Sequence, residues 1–425
     1  MAGNAIDALF VRTDNLRLAP DFDLLANLPK ECLTFIRNGE GLVGLGQTLV
    51  LTASGPDRIA KLSAQWKNLK ANVTDAVPGP GRGLVAFGTI SFSDNSTVES
   101  KLVVPRQILG VRDGRYWLTR IDTKPLEPLT DDTELDALWN TQVGQTEPET
   151  GLVPGAGLVP GAGQLNPQDF TQLVTAAVEQ IKAGAFEKVV LARDLVAAVE
   201  PDFDLRPALV KLATLYPGCW TYSVAGMFGA SPELLVRVSH GQVSARVLAG
   251  TAGRGTDPGI DRAISAALTS SVKNKHEHKF ALDSLVNALA PFCSQIDADP
   301  EPFSLALPNV WHLASDVHGV LQQDASALDL AAALHPTAAV AGTPTKAAQD
   351  FIDANEPFDR GGYAGPVGWI GADGDGEWAI ALRGARLADG QITAFAGCGV
   401  VAESDPEAEL AETRLKFQPI RQALS

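Results

Sequence analysis

The 425-residue sequence is short of cysteine, short of positive charge and without long apolar runs, and each shortage closes off a class of protein. Its four cysteines, Cys32, Cys219, Cys293 and Cys398, lie far apart with neither CxxC nor Cys/His ligand spacing, which excludes a zinc ribbon or a disulfide scaffold. All four are expected to be buried thiols, because free cysteine behaves as a small hydrophobe. Lysine and arginine total 34 against 50 aspartates and glutamates, a net charge of −16. Nucleic acid and anionic membrane both need a basic face, so neither is expected as a partner. Asp7 and Arg12 interrupt the N-terminal segment where a signal peptide has its apolar core, and no apolar run is long enough to span a bilayer. A cytoplasmic protein is the expectation. What is present, 45% hydrophobic and 20% charged residues, is ordinary globular composition in a chain long enough to bury a large core.

The hexapeptide LVPGAG at 152–157 is repeated at once at 158–163 and reads as a linker or surface loop. Before it, stretches such as 41–54, 83–93 and 115–122 are β-rich and separated by Gly, Pro and Asp turns. After it, Asn166 and Pro167 form an N-cap and first helical position, with Phe170, Leu173, Val174, Ala177, Val178 and Ile181 at helical spacing. This helix is expected to end near Gly184 and a strand to begin at Phe186. In that strand Lys188, Val190 and Ala192 share a face. A lysine at the rim of a buried pocket loses solvation and becomes available as a base; a solvated lysine at a strand start explains the same letters.

Asp405 and Pro406 cap a C-terminal helix on which Glu409, Glu412 and Lys416 share one face. Two such carboxylates can hold a hard divalent cation such as Mg2+, and a solvated helix with a Glu412–Lys416 ion pair is the alternative. A second helix over 273–292 places Glu277 on a face with Ala281, Ser284, Leu285 and Ala288, where a carboxylate needs a partner. His276 and His278 are two apart, so HEH is not the HExxH of zinc proteases. GCGVVA at 397–402 matches a dinucleotide fingerprint only formally, and neither a P-loop nor a GxSxG elbow occurs.

Ten ordered stretches together carry a resemblance: FEKVVLAR at 186, ASPELLVR at 230, LAGTAGRG at 248, KHEHK at 275, WHLASDVHG at 311, LHPTAAVAGTP at 334, EPFDRGGYAGPVGW at 356, ALRGARL at 381, FAGCGVV at 395 and ELAETRLK at 409. From about residue 166 onward the chain resembles the chorismate-utilising enzymes, and within them looks most like the isochorismate synthases. The resemblance implies an α/β (α+β type) fold of large, mostly antiparallel sheets packed face to face with helices outside. Residues 1–165 would be a variable β-rich region contributing to the same unit, and 166–425 the chorismate-binding catalytic region.

By the same resemblance, Lys188 is the base that activates water and Glu233 the acid that protonates a departing hydroxyl. Glu277 and Glu412 correspond to Mg2+ ligands, with Glu409 close by. Arg383 and Lys416 match residues that grip substrate carboxylates, a task suited to a bidentate guanidinium. Tyr363, Gly397, Gly250 and His312 are expected to line the pocket. Ala339 stands where many relatives that eliminate pyruvate carry threonine, which separates this chain from salicylate synthases, the nearest alternative. A silent chorismate-binding protein is disfavoured by the intact Lys188, Glu233, Glu277 and Glu412. No glutaminase subunit is expected, and the expected state is a monomer.

Overall fold

The computed structural model describes residues 8–18, 22–74, 79–128, 162–299, 301–306 and 310–425, and of Thr251, Lys273, Glu277 and Val310 it describes the backbone only. All but the last two residues of the doubled LVPGAG lie outside the described residues.

The first half of the chain forms β1 (Leu9–Leu16), β2 (Leu33–Arg37), β3 (Glu40–Leu45), β4 (Leu49–Ala53), α1 (Arg58–Lys67), β5 (Ala71–Thr74), β6 (Val85–Thr89), β7 (Ser100–Val104), β8 (Gln107–Arg112), β9 (Arg115–Asp122), α2 (Pro167–Lys182), β10 (Lys188–Ala198) and α3 (Arg206–Leu215). Next come β11 (Trp220–Val224), β12 (Met227–Ser231), β13 (Leu234–Ser239), β14 (Gln242–Gly253), α4 (Pro258–Ser270), α5 (Val272–Leu289), β15 (Cys293–Ala298), β16 (Phe303–Ala306), β17 (Val310–Leu321) and α6 (Ala327–Leu334). The last part holds β18 (Gly342–Thr343), α7 (Thr345–Asn355), β19 (Pro366–Gly371), β20 (Gly376–Ile380), β21 (Gly384–Ala388), β22 (Gln391–Val400), α8 (Pro406–Lys416) and α9 (Gln418–Ala423).

These elements form two compact units. The larger comprises Met1–Glu233, His335–Ala372 and Ala379–Ser425; the smaller comprises Leu234–Leu334 and Asp373–Trp378. The larger unit contains a 12-stranded sheet ordered β18-β10-β22-β21-β12-β11-β2-β3-β8-β9-β1-β5. Its pairs are antiparallel except β1 with β5. A second layer runs β19-β6-β7-β4. The layers meet face to face where the sequence supplies glycine: a Cβ on Gly44 of β3 would lie 2.9 Å from the Phe87 ring of β6. One on Gly362 would lie 2.8 Å from both Met227 of β12 and Thr89 of β6. On the other side of the large sheet, Leu209 and Leu212 of α3 and Ile420 of α9 pack with Phe228, Ile392 and Leu118 in one buried cluster.

Local chemistry accounts for the element ends. The Asn166 side chain accepts from the Asp169 N–H, Pro167 occupies the first turn, and all six apolar residues predicted for the inner face of α2 are buried. Beyond α2 the Gly184 and Ala185 N–H groups return to the carbonyls of Ile181 and Gln180, with Gly184 at φ 82. That cap consumes the residues at which a strand was expected to start, and β10 begins at Lys188. The stretch 41–54 is not one β segment: Gly46 at φ 66 turns the chain, sending β3 into the large sheet and β4 into the second layer. Cys219 also departs from expectation. It sits between α3 and β11 and is only half-buried, whereas Cys32, Cys293 and Cys398 are buried.

In the smaller unit, β15, β17, β14 and β13 lie side by side with β16 also on β17, beside α4, α5 and α6. Among the described residues no helix is long and apolar enough to cross a membrane.

Candidate active site

Residues 189–198 of β10 pair antiparallel with 391–400 of β22. On one face of this ribbon the side chains are Lys188, Val190 and Ala192 from β10 and Phe395, Gly397 and Gly399 from β22. The two glycines make it a floor. A Cβ at Gly399 would sit 2.9 Å from Lys188 Cε, and one at Gly397 would sit 3.1 Å from the Tyr363 hydroxyl. Tyr363 stacks on Phe395 with centroids 5.0 Å apart and ring planes at 18°. Burial pushes its phenol up to about 12, so it keeps its proton.

Glu233 follows β12 and is held by its backbone. Its N–H donates to Ser231 Oγ at 3.2 Å, Ser231 Oγ donates to the Ile380 carbonyl at 2.5 Å, and the Ile380 N–H returns to the Glu233 carbonyl at 3.0 Å. The sequence AS-P-E thus fixes where the carboxyl emerges. Burial raises its pKa above the ordinary 4.5, against the opposing charges of Arg383, Lys188 and Lys416. The three cations expected from the sequence therefore all act on Glu233, and desolvation outweighs them. Arg383 has left-handed backbone, φ 47, and its carbonyl accepts from the Ala230 N–H at 3.3 Å. Gly384 follows it because any Cβ there would lie 2.0 Å from the buried Tyr222 hydroxyl.

α8 brings the remaining residues of this unit to the floor. The Asp405 carboxylate caps it by accepting from the Ala408 N–H. Lys416 Nζ donates to the Gly397 carbonyl at 2.8 Å and pairs with Glu412 Oε1 at 2.5 Å, so the ion pair predicted as the bland alternative exists and stands on the floor. Glu409 Oε1 accepts from Ser404 Oγ at 2.7 Å, while its Oε2 is buried without a partner. The Cys398 thiol beneath is pushed up chiefly by burial and then by the Glu409 charge. Two carboxylates one turn apart suit a hard cation. Among the described residues no group of three or more His, Cys, Asp or Glu forms a ligand set, and the Glu277 side chain lies outside them.

Ala339 is exposed in the turn where the Val340 N–H donates to the Thr337 carbonyl. Gly250, Glu277 and His312 belong to the smaller unit. There Gly250, at φ 87, sits where the register of β14 against β17 slips between Leu248 and Thr251, and His312 lies opposite Thr251. Glu277 is on α5. Its neighbour His278 is 1% exposed and bonds the Ala249 carbonyl through Nδ1 at 3.1 Å and Ser315 Oγ through Nε2 at 2.9 Å.

Sequence reasoning missed the pair that supports β10. β18 pairs with Lys188 and Val189, the Ala341 carbonyl accepts from the Val190 N–H at 2.9 Å, and the rest of this stretch of open edge is met by side chains. Glu356 accepts from the Ala192 N–H at 2.8 Å, Arg360 donates to the Val190 carbonyl at 2.7 Å, and the two pair with each other at 2.5 Å, both under 4% exposed. Their i, i+4 spacing within EPFDR was the available signal.

A family model for chorismate-binding enzymes matches residues 21–425. A Mycobacterium tuberculosis chain named MenF is 41% identical over 274 residues, 61% of this chain and 73% of that one. The isochorismate synthase DhbC of Bacillus subtilis is 38% identical over 270 residues, 61% of this chain and 68% of that one. The solved structure of the menaquinone-specific isochorismate synthase MenF from Escherichia coli aligns with a TM-score of 0.77 at 25% identity, covering 98% of this chain and 95% of that one. A match that runs from residue 21 to the last residue, over the same strands that build the Lys188–Gly399 floor, makes this chain a member of the chorismate-binding enzyme family.

Proposed function

We propose that the protein is an isochorismate synthase, an isomerase that converts chorismate reversibly to isochorismate. Water adds at C2, the ring double bonds shift, and the C4 hydroxyl departs. Lys188 accepts a proton from the attacking water, whose oxygen bonds C2. Glu233 donates its proton to the C4 oxygen, which leaves as water, so the product is an isomer of the substrate. One observation carries this reading: burial raises the Glu233 carboxyl above the ordinary carboxylate value although three cations act on it, the direction a general acid beside an anionic substrate requires. The names of the relatives at 35–41% identity support the same reaction.

Arg383 and Lys416 are the groups for the substrate carboxylates, and Tyr363 and Gly397 shape the floor beneath the ring. Gly250 and His312 line the pocket in this reading, and Ala339 leaves the product at isochorismate rather than letting pyruvate go. Glu412 and Glu277, with Glu409, are the residues that would hold Mg2+. The ion supplies a local positive charge for the ring carboxylate, which offsets the protein's net charge of −16. The enzyme is read as a cytoplasmic monomer that needs no glutaminase subunit; its four free thiols suit a reducing compartment.

The test is to incubate the purified protein with chorismate, with and without Mg2+, and separate the products by chromatography. A Mg2+-dependent isochorismate peak that settles into a stable mixture with chorismate, without pyruvate, is the expected result. Salicylate with an equal amount of pyruvate overturns the reading in favour of salicylate synthase. Absence of turnover overturns it in favour of a binding protein.

A further inference from the structure

The covered face of β10 carries an arginine that stability does not explain. Arg193 is 1% exposed, between the rings of Phe170 on α2 and Phe417 after α8, whose centroids lie 5.6 and 5.9 Å away. A guanidinium has five N–H donors. Only Nη1 finds an acceptor, Thr413 Oγ1 at 3.1 Å, and Nε and Nη2 have none among the described residues. The nearest carboxylate in sequence, Asp194, is engaged elsewhere, accepting from the Gln164 and Leu165 N–H groups at 2.8 and 3.0 Å. Arg414 adds a further positive charge nearby. Burial and the Arg414 charge outweigh the favourable charge of Asp194, which makes no ion pair with it. A buried cation with one acceptor and no directly paired carboxylate is a poor stabiliser, and an unbranched apolar side chain would fill the same space between the two rings.

The partner of that one bond is informative. Thr413 is fully buried and donates its own hydroxyl to the Leu410 carbonyl at 2.8 Å, so its oxygen is fixed on α8 and free to accept from Arg193. Thr413 lies directly after Glu412, four residues after Glu409 and three before Lys416. The bond therefore ties the turn of α8 that carries both carboxylates and the lysine to the strand that carries Lys188 on its other face. We propose that Arg193 is a positioning residue: it sets the rotation and depth of α8, and so the placement of Glu409, Glu412 and Lys416 over the Gly397–Gly399 floor. The metal part of this proposal rests on the functional reading above.

The experiment compares Arg193→Met, Arg193→Lys and Thr413→Val with the wild type by urea denaturation, Mg2+ calorimetry, hydrogen exchange over residues 406–416, and kcat with KM. Arg193→Met is expected to unfold at the same or higher urea concentration than wild type, because an apolar isostere replaces an undercompensated charge. It should nevertheless bind Mg2+ about tenfold or more weakly, the usual effect of losing an outer-shell support. Exchange in 406–416 should speed up, Thr413→Val should reproduce both changes, and Arg193→Lys, which keeps one donor, should fall between. Wild-type Mg2+ affinity and wild-type exchange in Arg193→Met overturn the proposal. So does a loss of global stability that accounts for every other change, and if that variant fails to fold, wild-type behaviour in Thr413→Val overturns it. Should the wild type leave chorismate unchanged, the functional reading falls, while exchange in α8 still decides the role of Arg193.

Discussion

Glu233 is governed by two opposed effects of similar kind, burial that favours its neutral form and the charges of Arg383, Lys188 and Lys416 that favour its anion. Burial prevails, so the carboxyl stays protonated above the ordinary 4.5 and loses its proton only as the pH rises through the elevated value. In the proposed mechanism Glu233 is the acid and must be protonated to act, so kcat is expected to fall with rising pH on a limb set by Glu233. Glu233→Gln is expected to lower kcat roughly 100-fold or more and to abolish that limb, as measured by pH profiles of kcat. A limb that persists in Glu233→Gln would assign the acid to another residue. Lys188, Glu233, Tyr363 and Arg383 were legible as letters in motifs. Their support was not: Gly399 matters because a Cβ there would meet the Lys188 side chain, and Arg383 stands at φ 47 just before β21 begins at Gly384. Such facts belong to through-space packing, which periodicity does not encode.

Elements whose ends are set by their own side chains were the readable ones. Asn166 and Asp405 cap α2 and α8 as their sequences predict, and the apolar spacing of α2 named its buried face. The edge of β10 was not readable, because what completes it is neither a strand nor near in sequence. Glu356 and Arg360 lie just past the end of α7 at Asn355, so their spacing is not that of a solvated helical pair. Instead they replace the neighbouring strand that β18 stops short of supplying. Removing one partner leaves a buried charge and an unpaired N–H on Ala192. Glu356→Ala is therefore expected to destabilise the larger unit by about 3–5 kcal/mol, read from equilibrium denaturation. A change within about 0.5 kcal/mol, the range typical of surface sites, would show that the pair is not holding β10.

At the scale of the whole molecule, the larger unit is drawn from three separate stretches, and its 12-stranded sheet sets β10 beside β22 although some 200 residues separate them. Fold class could be read because the motifs of a known family occur in order; strand order could not, since local alternation says nothing about distant partners. The net charge of −16 likewise describes the whole molecule, while the floor concentrates Lys188, Arg383 and Lys416 around one carboxyl. Local cations govern what binds there, because distant charge is screened over about 8–10 Å at ordinary salt. The central claim is that this floor adds solvent water to the ring, with Lys188 as the base. The most direct measurement is turnover of chorismate in 18O-water, followed by mass spectrometry of the isochorismate formed by wild type and by Lys188→Ala. The prediction is one heavy oxygen in the isochorismate made by wild type and no isochorismate from Lys188→Ala, with chorismate binding by calorimetry retained. Isochorismate that carries no heavy oxygen, or labelled product from Lys188→Ala at the wild-type rate, would contradict it.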